Sequence, residues 1–232
     1  LVGPRVTFHG YTGSGLWDAE AAQDMLKATG SYDTSFELKK VDRHSTTEGQ
    51  APPEGAVVLL PYEPGKAPDM SAWTNGNWKA YDDGSMGVQP GSGPNTTKEK
   101  IGDCTLHLEF YMPLMAGDFG QGRSNSGVYL RGVYEVQVLD SFGLDGAFNE
   151  CGSLDRQTPP DLNMALPPLV WQTYDIWFTA AKFDADGKKT NNARITVWHN
   201  GVTVHDNREI PSKTGAGQAE TDKPRRINFQ NL

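Results

Sequence analysis

Residues 125–141 constrain the fold of this chain more than any other stretch. Their β-branched and aromatic residues alternate with polar ones, and Gly132 interrupts the alternation. A repeat of two residues is typical of a β-strand with one buried face, because successive side chains of a strand point to opposite sides. The stretch therefore predicts two short strands.

The two predicted strands present one apolar face and one polar face. On the second strand, Val136 and Val138 point to the apolar side. The polar side carries a phenol, a guanidinium, a carboxylate and a carboxamide, from Tyr129, Arg131, Glu135 and Gln137. Together these groups supply both hydrogen-bond donors and acceptors. This side is therefore either the floor of a polyol-binding site or an ordinary solvated strand face, and the residues alone leave both interpretations open.

Composition favours an all-β protein with a neutral ligand. The 232 residues include 26 Gly and 15 Pro with 37% hydrophobic residues, which suits many short strands joined by turns. The formal net charge of −8 argues against a polyanionic partner such as nucleic acid or an anionic membrane surface. The sequence has no run of about 18 apolar residues, the length that a membrane-spanning helix needs, so we expect no membrane insertion.

The sequence divides into an N-terminal extension with a linker, residues 1–53, and a larger domain, residues 54–232. Within the extension, a stripe of apolar residues predicts a helix over residues 17–28. The proline pair at 52–53 marks the linker, because consecutive prolines fit neither a helix nor a central strand. The apolar run 56–60 predicts a buried strand that opens the larger domain.

A further alternating stretch adds a His and a Glu. In residues 105–110, three apolar side chains face one way while His107 and Glu109 face the other. Side chains two residues apart on a strand lie about 7 Å apart, close enough to touch one substrate or one metal ion. The pair is therefore either solvated or a second row of the same polar floor.

Two loops are candidates for the rim of a site. The Gly-rich loop 112–123 precedes the two strands, and the longer loop 142–168 follows them. Long loops in compact domains often bind ligands. The polar residues of the second loop are Asn149, Glu150, Asp155, Arg156, Asp161 and Asn163.

The two strands and several later stretches resemble one protein family. Residues 125–132 (NSGVYLRG) and 134–141 (YEVQVLDS) look like the signature of the 3-keto-disaccharide hydrolase family. Further stretches agree in order along the chain: residues 102–110, 150–152, 163–168, 171–176 and 199–202. The resemblance covers residues 54–232. It implies an antiparallel, concanavalin A-like jelly-roll β-sandwich, with residues 102–140 on a concave sheet that holds the sugar.

The resemblance implies a hydrolase or lyase that acts on 3-keto-glycosides, which are oxidised sugars or oligosaccharides. The C3 carbonyl acidifies the C2 hydrogen, so a base can remove it, the aglycone can leave from C1, and water can then add. The catalytic candidates are Glu135, His107 and Asp140, with Glu135 and His107 as base and acid. The candidate substrate-binding residues are Asn125, Tyr129, Arg131, Gln137 and Glu150.

The resemblance also points to a divalent metal ion, such as Ca²⁺, Mn²⁺ or Mg²⁺. Such an ion would stabilise the negative charge that develops on the sugar oxygen when the C2 proton leaves. Its candidate ligands are His107, Glu109 and Glu135.

Two other functions are open on the sequence alone. The spacing Glu135-x-Gln137-x-x-Asp140 resembles the Glu-x-Asp-x-x-Glu strand of laminarinase-type glycoside hydrolases of the same fold, although Gln137 replaces the middle acid. A conventional glycosidase would use Glu135 and Asp140 as its carboxylate pair. A non-catalytic carbohydrate-binding module would use the same floor without turnover.

The family consists of secreted bacterial proteins, so the resemblance implies a periplasmic or secreted location. Leu1 is not followed by the pattern of a signal peptide, so we expect a signal that was removed, or none. Relatives continue past residues 230–231 with a His-Gly-Asn-Pro element and a last strand, and Leu232 stands in the place of that His. We expect either a truncated sequence or a closing strand from elsewhere, such as the N-terminal extension.

The chain has two cysteines, Cys104 and Cys151, which allow at most one intrachain disulfide. Two buried thiols and one bridge are both compatible with the sequence. Relatives often have a second Cys where Ala165 stands, so the resemblance implies that Cys151 is free.

Overall fold

The structure, a computed structural model, describes residues 5–13 and 15–230. The chain divides into two compact units, Leu1–Arg43 and His44–Leu232, which are described separately. The described residues form two short 3₁₀ helices, Ser31–Asp33 and Gly120–Gly122, and sixteen strands: β1 (Val6–Thr12), β2 (Gly15–Ala22), β3 (Met25–Gly30), β4 (Ser35–Lys39), β5 (Lys79–Ala80), β6 (Met86–Gly87), β7 (Asn95–Thr96), β8 (Cys104–Tyr111), β9 (Ser126–Leu130), β10 (Tyr134–Val138), β11 (Trp171–Thr179), β12 (Lys182–Phe183), β13 (Lys189–Asn191), β14 (Ala193–His199), β15 (Val202–Ile210) and β16 (Asn228–Phe229). The predicted all-β class is confirmed.

The smaller unit is one antiparallel sheet with the strand order β1-β2-β3-β4. Strands β2 and β3 occupy the stretch for which a helix was predicted, so that prediction is wrong. The physical reason lies at Gln23 and Asp24, which both have positive φ, 50° and 61°. This conformation suits a two-residue hairpin turn, whereas a right-handed helix excludes it. The turn places Ala22 opposite Met25 in antiparallel register.

The larger unit packs two four-stranded antiparallel sheets face to face. We call them sheet I, with the order β10-β9-β16-β7, and sheet II, with the order β15-β14-β11-β8. Their facing side chains form one apolar core, in which Val128 and Val136 of sheet I and Ile176 of sheet II take part. Burial of each such side chain contributes about 1.5–3 kcal/mol, which fixes the face of each strand that points inward. The predicted jelly-roll β-sandwich is confirmed.

Strands β9 and β10 pair as the alternation predicts. Glu135 lies opposite Tyr129, and Gln137 lies opposite Gly127. Because Val136 and Val138 belong to the core, Glu135 and Gln137 point to the other side of sheet I. The polar residues of the two strands therefore share the face that points away from the core.

Strand β8 does not join this polar face, and the predicted concave sheet of residues 102–140 is wrong. It pairs with β11 at the end of sheet II. Leu106 and Leu108 pack against the core, so His107 and Glu109 point outward from sheet II. The period of two assigns each residue to a face of its own strand, but it carries no information about the sheet that the strand joins.

The predicted strand over residues 56–60 is also wrong. In the part of the chain that the structure describes, this segment belongs to no strand, and Val57 is exposed. Prolines at 52–53 and at Pro61 lack the N–H group that strand pairing needs. Only Leu59 of the segment packs against the core, and its carbonyl oxygen accepts a hydrogen bond from Trp73 Nε1 (2.8 Å).

Near the C-terminus, β16 lies between β9 and β7, so residues 228–229 supply a strand of sheet I. Leu232, the position at which the family resemblance implies a His, lies outside the described residues. Cys104 and Cys151 are both free thiols, and that of Cys151 is buried. Among the described residues, we find no helix with the length and apolar character needed to cross a membrane.

Candidate active site

Glu135 lies on β10, the strand at one end of sheet I, and residues 152–155 run along the outer edge of this strand. We call these residues the Asp155 segment. Gly152 N donates to Gln137 O (3.0 Å), and Asp155 N donates to Glu135 O (3.4 Å). Because these bonds continue the pairing of the sheet, the segment acts as a short additional strand that places Asp155 beside Glu135.

A second segment, residues 212–218, closes over Glu135 and is called the Gly215 segment. Glu135 N donates to Thr214 Oγ1 (2.5 Å), and Gly215 N donates to Asp155 O (3.3 Å). A Cβ atom added to Gly215 would overlap both Glu135 Oε2 and Asp155 Oδ2, so the glycine backbone lies directly against the two carboxyl groups. As a result, Glu135 is only 2% exposed.

The neighbouring strand β9 fixes the Glu135 carboxyl from another direction. A Cβ atom added to Gly127 would overlap Glu135 Oε1. The phenol of Tyr129 donates to Glu135 Oε2 at 2.6 Å. The carboxyl is therefore held in one position by two glycine backbones and one hydroxyl group.

The surroundings of Glu135 change its acidity. Burial raises the pKa of Glu135 to about 7; the Tyr129 hydrogen bond opposes this rise, and the negative charge of Asp155 adds to it. Burial also raises the pKa of Asp155, against the opposing effect of Arg156. A carboxyl with a pKa near 7 can take up and release a proton at neutral pH, as a general base must.

Three buried polar atoms on or near this face have no hydrogen-bond partner among the described residues: Asn125 Oδ1, Gln137 Oε1 and Ser153 Oγ. Gln121 connects two of these side chains, because its Oε1 accepts from Gln137 Nε2 (3.1 Å) and from Asn125 Nδ2 (3.2 Å). An unpaired buried polar group costs about 1–3 kcal/mol. Each of the three oxygens is able to accept a hydrogen bond from a hydroxyl group.

Arg131, a predicted substrate-binding residue, has a structural role. It is buried, and its Nη2 donates to the carbonyl oxygens of Thr221 (2.9 Å) and Lys223 (2.5 Å). These bonds hold the chain that leads to β16 against the turn after β9. The guanidinium is therefore used within the fold and not at Glu135.

Asp140 and Glu150 also bind other parts of the protein. Asp140 forms an ion pair with Arg123 at 2.7 Å. Glu150 Oε2 accepts hydrogen bonds from the N–H groups of residues 146 and 147, both at 2.8 Å, and so closes a turn of its own loop. Neither contact brings the carboxylate to Glu135.

His107 and Glu109 lie on the outer face of sheet II, so the predicted cleft shared with Glu135 is wrong. There, His107 Nδ1 and Asp175 Oδ1 are 2.7 Å apart. The predicted metal ligands His107, Glu109 and Glu135 are divided between the two sheets and do not fit one ion. Among residues 5–13 and 15–230, no three His, Cys, Asp or Glu side chains form a candidate metal site.

Sequence reasoning missed the second carboxyl and its cover. Asp155 was recognised only as one of several polar residues of a long loop, although the alternation of Ser153 and Asp155 around the apolar Leu154 is a strand signal. The Gly215 segment has no sequence pattern that predicts its position over Glu135, because its composition is that of an ordinary turn.

Known proteins match the part of the chain that contains this site. The model of a family described as "3-keto-alpha-glucoside-1,2-lyase-like domain" matches residues 55–231. A crystal structure from Parabacteroides distasonis, described as a "putative glycosyl hydrolase", is 33% identical; the match covers 76% of each chain with a TM-score of 0.68. A second structure from that organism, with the same description, is 13% identical over 70% of this chain and 82% of the other, with a TM-score of 0.48. No curated protein matches the chain.

Proposed function

The chain belongs to the family of 3-keto-α-glucoside-1,2-lyase-like domains, and from this membership we propose that it acts on 3-keto-glycosides, with Glu135 as the base that removes the C2 proton. The family and the first relative from Parabacteroides distasonis support the coarser class, a carbohydrate-active hydrolase or lyase of the glycosidase type. The observation that carries the finer proposal is the buried Glu135 carboxyl, held by Tyr129 next to Asp155.

The proposed reaction begins with the bond between C2 and its hydrogen. Ionised Glu135 takes the proton, and the electron pair of the C2–H bond moves into an enolate that the C3 carbonyl stabilises. The enolate then forms a C1–C2 double bond while the C1–O bond to the aglycone breaks and the aglycone oxygen takes up a proton. Water adds across the double bond, with its hydroxyl on C1 and a proton on C2, to give the free 3-keto sugar.

Tyr129 can supply the hydrogen-bond donor that stabilises the enolate oxygen. Burial raises the pKa of its phenol, so the hydroxyl stays protonated at neutral pH. The phenol donates to Glu135 while that carboxyl is ionised. Once Glu135 has taken the C2 proton it becomes a weaker acceptor, and the phenol can donate to the enolate oxygen instead. The unpaired oxygens of Asn125 and Gln137 would accept hydrogen bonds from sugar hydroxyls.

Access to Glu135 requires the Gly215 segment to move, because this segment covers the carboxyl. Two cavities of about 390 and 480 Å³ are lined by other parts of the larger unit and do not reach Glu135. The segment has no apolar side chain larger than Ala216, and Gln157 Nε2 donates to the carbonyl oxygens of residues 212 (3.0 Å) and 213 (2.7 Å). The backbone of the segment is held as well, because the N–H groups of Thr214, Gly215 and Gln218 donate to the carbonyl oxygens of residues 133 (3.2 Å), 155 (3.3 Å) and 132 (2.9 Å). Since each such bond contributes about 0.5–1.5 kcal/mol, opening the segment costs several kcal/mol, which contacts with the bound substrate must offset.

We expect the protein to cleave a 3-keto-glucoside and to leave the unoxidised parent glucoside intact, because only the keto sugar has an acidified C2 hydrogen. In D₂O the released 3-keto sugar should carry deuterium at C2, measured by mass spectrometry and NMR. Cleavage of the parent without deuterium at C2 would instead support a conventional glycosidase. Binding of both sugars without cleavage would support a carbohydrate-binding module. A parallel incubation with a chelator tests the metal ion that the family resemblance implies.

We expect kcat/KM for the 3-keto-glucoside to rise as the pH rises through about 7, because only ionised Glu135 accepts the C2 proton. Asp155→Asn should move the midpoint of this rise to lower pH, since it removes a negative charge that raises the pKa of Glu135. Measurements of kcat/KM against pH for both proteins check the two expectations. A midpoint near the ordinary glutamate pKa of about 4.3 in the parent would contradict the assignment.

A further inference from the structure

The outer face of sheet II, the sheet that does not contain Glu135, carries a group of aromatic and polar side chains. On β11, Ile176 and Phe178 belong to the core. Asp175 and Trp177 alternate with them and therefore point outward. Trp198 of β14 and His107 of β8 both lie directly opposite Asp175 in register, one on each side. Trp177, Trp198, Asp175 and His107 thus form one continuous patch on this face.

The two tryptophans of this patch contact each other while one remains open to solvent. Their ring centroids are 4.9 Å apart and their planes meet at 70°. Trp177 is nevertheless 60% exposed. Large aromatic side chains usually lose most of their exposure on folding, so an exposed indole fixed by a second indole indicates a contact surface.

Hydrogen-bonding groups lie beside the exposed indole. His107 Nδ1 lies 2.7 Å from Asp175 Oδ1, and Thr47 Oγ1 donates to Asp175 Oδ2 (2.9 Å). Glu109 Oε1 accepts from Gly49 N (2.6 Å). These bonds fix the polar groups in position, and the side chains of His107 and Glu109 are still about one-third exposed.

We propose that Trp177, Trp198, Asp175 and His107 form a second glycan-binding surface, which takes a neutral oligosaccharide. A sugar ring has an apolar C–H face that packs on an indole, and hydroxyl groups at its rim that donate to carboxylates. In this patch Trp177 supplies the indole, and Asp175, two residues away on the same strand, supplies the carboxylate. The carboxylates of Asp175 and Glu109, with the net charge of −8, disfavour acidic glycans.

A neutral glycan fits this patch better than a protein partner does. The centre of a protein interface is depleted of charged residues. In this patch a carboxylate and an imidazole lie next to the indoles, and residues 45–49 run beside them along the same face. The surface therefore offers a narrow platform with acceptors, not a broad apolar area.

The test is native gel electrophoresis of the whole chain in gels that contain barley β-glucan, soluble starch or polygalacturonate. We expect a neutral glucan to retard the parent protein and polygalacturonate to leave it unretarded. Trp177→Ala should weaken the glucan binding at least roughly tenfold, the usual scale for truncating a contact aromatic. Asp175→Asn, which keeps the side-chain volume, should also weaken it.

Two controls separate this surface from the candidate active site and from nonspecific adhesion. Turnover of a small soluble 3-keto-glucoside should be unchanged in Trp177→Ala, because Glu135 lies on the other sheet. Tyr11→Ala removes an aromatic side chain of the smaller unit that is more exposed than Trp177 (77% against 60%), and this variant should keep the retardation. The proposal is overturned if neither neutral glucan retards the parent, if Trp177→Ala is retarded like the parent, or if Trp177→Ala abolishes self-association seen by size-exclusion chromatography.

Discussion

Glu135→Gln should lower turnover of a 3-keto-glucoside by at least about 100-fold, the scale that is usual for a lost general base. Glutamine keeps the shape of the side chain but cannot take up the C2 proton. Folding should survive. Because burial raises the pKa of Glu135 to about 7, the parent loses stability as the pH rises from the ordinary glutamate pKa to about 7, and the loss is complete above that pH. The neutral amide has no such loss. Stopped assays of turnover and thermal melts at pH 8 measure the two expectations.

Glu109→Gln is the matched control, since it makes the same substitution on the outer face of sheet II. Turnover of this variant should equal that of the parent. If Glu135→Gln also turned over like the parent, the base would have to be sought elsewhere, and Asp155 would be the first residue to test.

Gly127→Ala should have an effect of similar size without removing any functional group. The added methyl group would overlap Glu135 Oε1, and the carboxyl cannot retreat because the Gly215 segment lies on its other side. A displacement of about 1 Å in a reacting group can cost 10²-fold in rate, so we expect roughly that loss in kcat/KM. Steady-state kinetics measure the loss, and the far-UV circular dichroism should match the parent spectrum.

Gly76→Ala provides the control for Gly127→Ala. A Cβ atom on Gly76 would meet nothing within 4 Å, and neither glycine has a positive φ that alanine would strain. Gly76→Ala therefore adds a methyl group that contacts nothing, whereas Gly127→Ala places one against Glu135. Equal activities of Gly76→Ala, Gly127→Ala and the parent would show that the position of the Glu135 carboxyl is unimportant for turnover.

The local part of the site could be predicted from the sequence. Alternation over β9 and β10 placed Val136 in the core and Glu135 with Tyr129 on the other face, and the structure agrees. The same alternation in β8 gave the correct face for His107 but the wrong site. Two strands with identical patterns can join different sheets, because the hydrophobic effect selects a face and not a neighbour.

The non-local part could not be predicted. Asp155 reaches Glu135 through backbone bonds between a loop and a strand edge, and Thr214 approaches from a separation of 79 residues. Such contacts depend on how loops close over the finished sandwich, and no local pattern encodes them. The wrong helix prediction, in contrast, has a local cause. The apolar stripe of residues 17–28 fits a helix, but the turn at Gln23 and Asp24 divides this stretch into two strands.

The Asp155 segment also has a consequence for solubility. β10 is the end strand of sheet I, and an uncovered end strand offers its N–H and C=O groups to another polypeptide, which is a common start of aggregation. By bonding to Glu135 and Gln137, residues 152–155 block this edge. The Asp155 segment, which raises the pKa of Glu135 through the charge of Asp155, thus also keeps one copy of the protein from pairing with the next. Selection on either property therefore constrains the other.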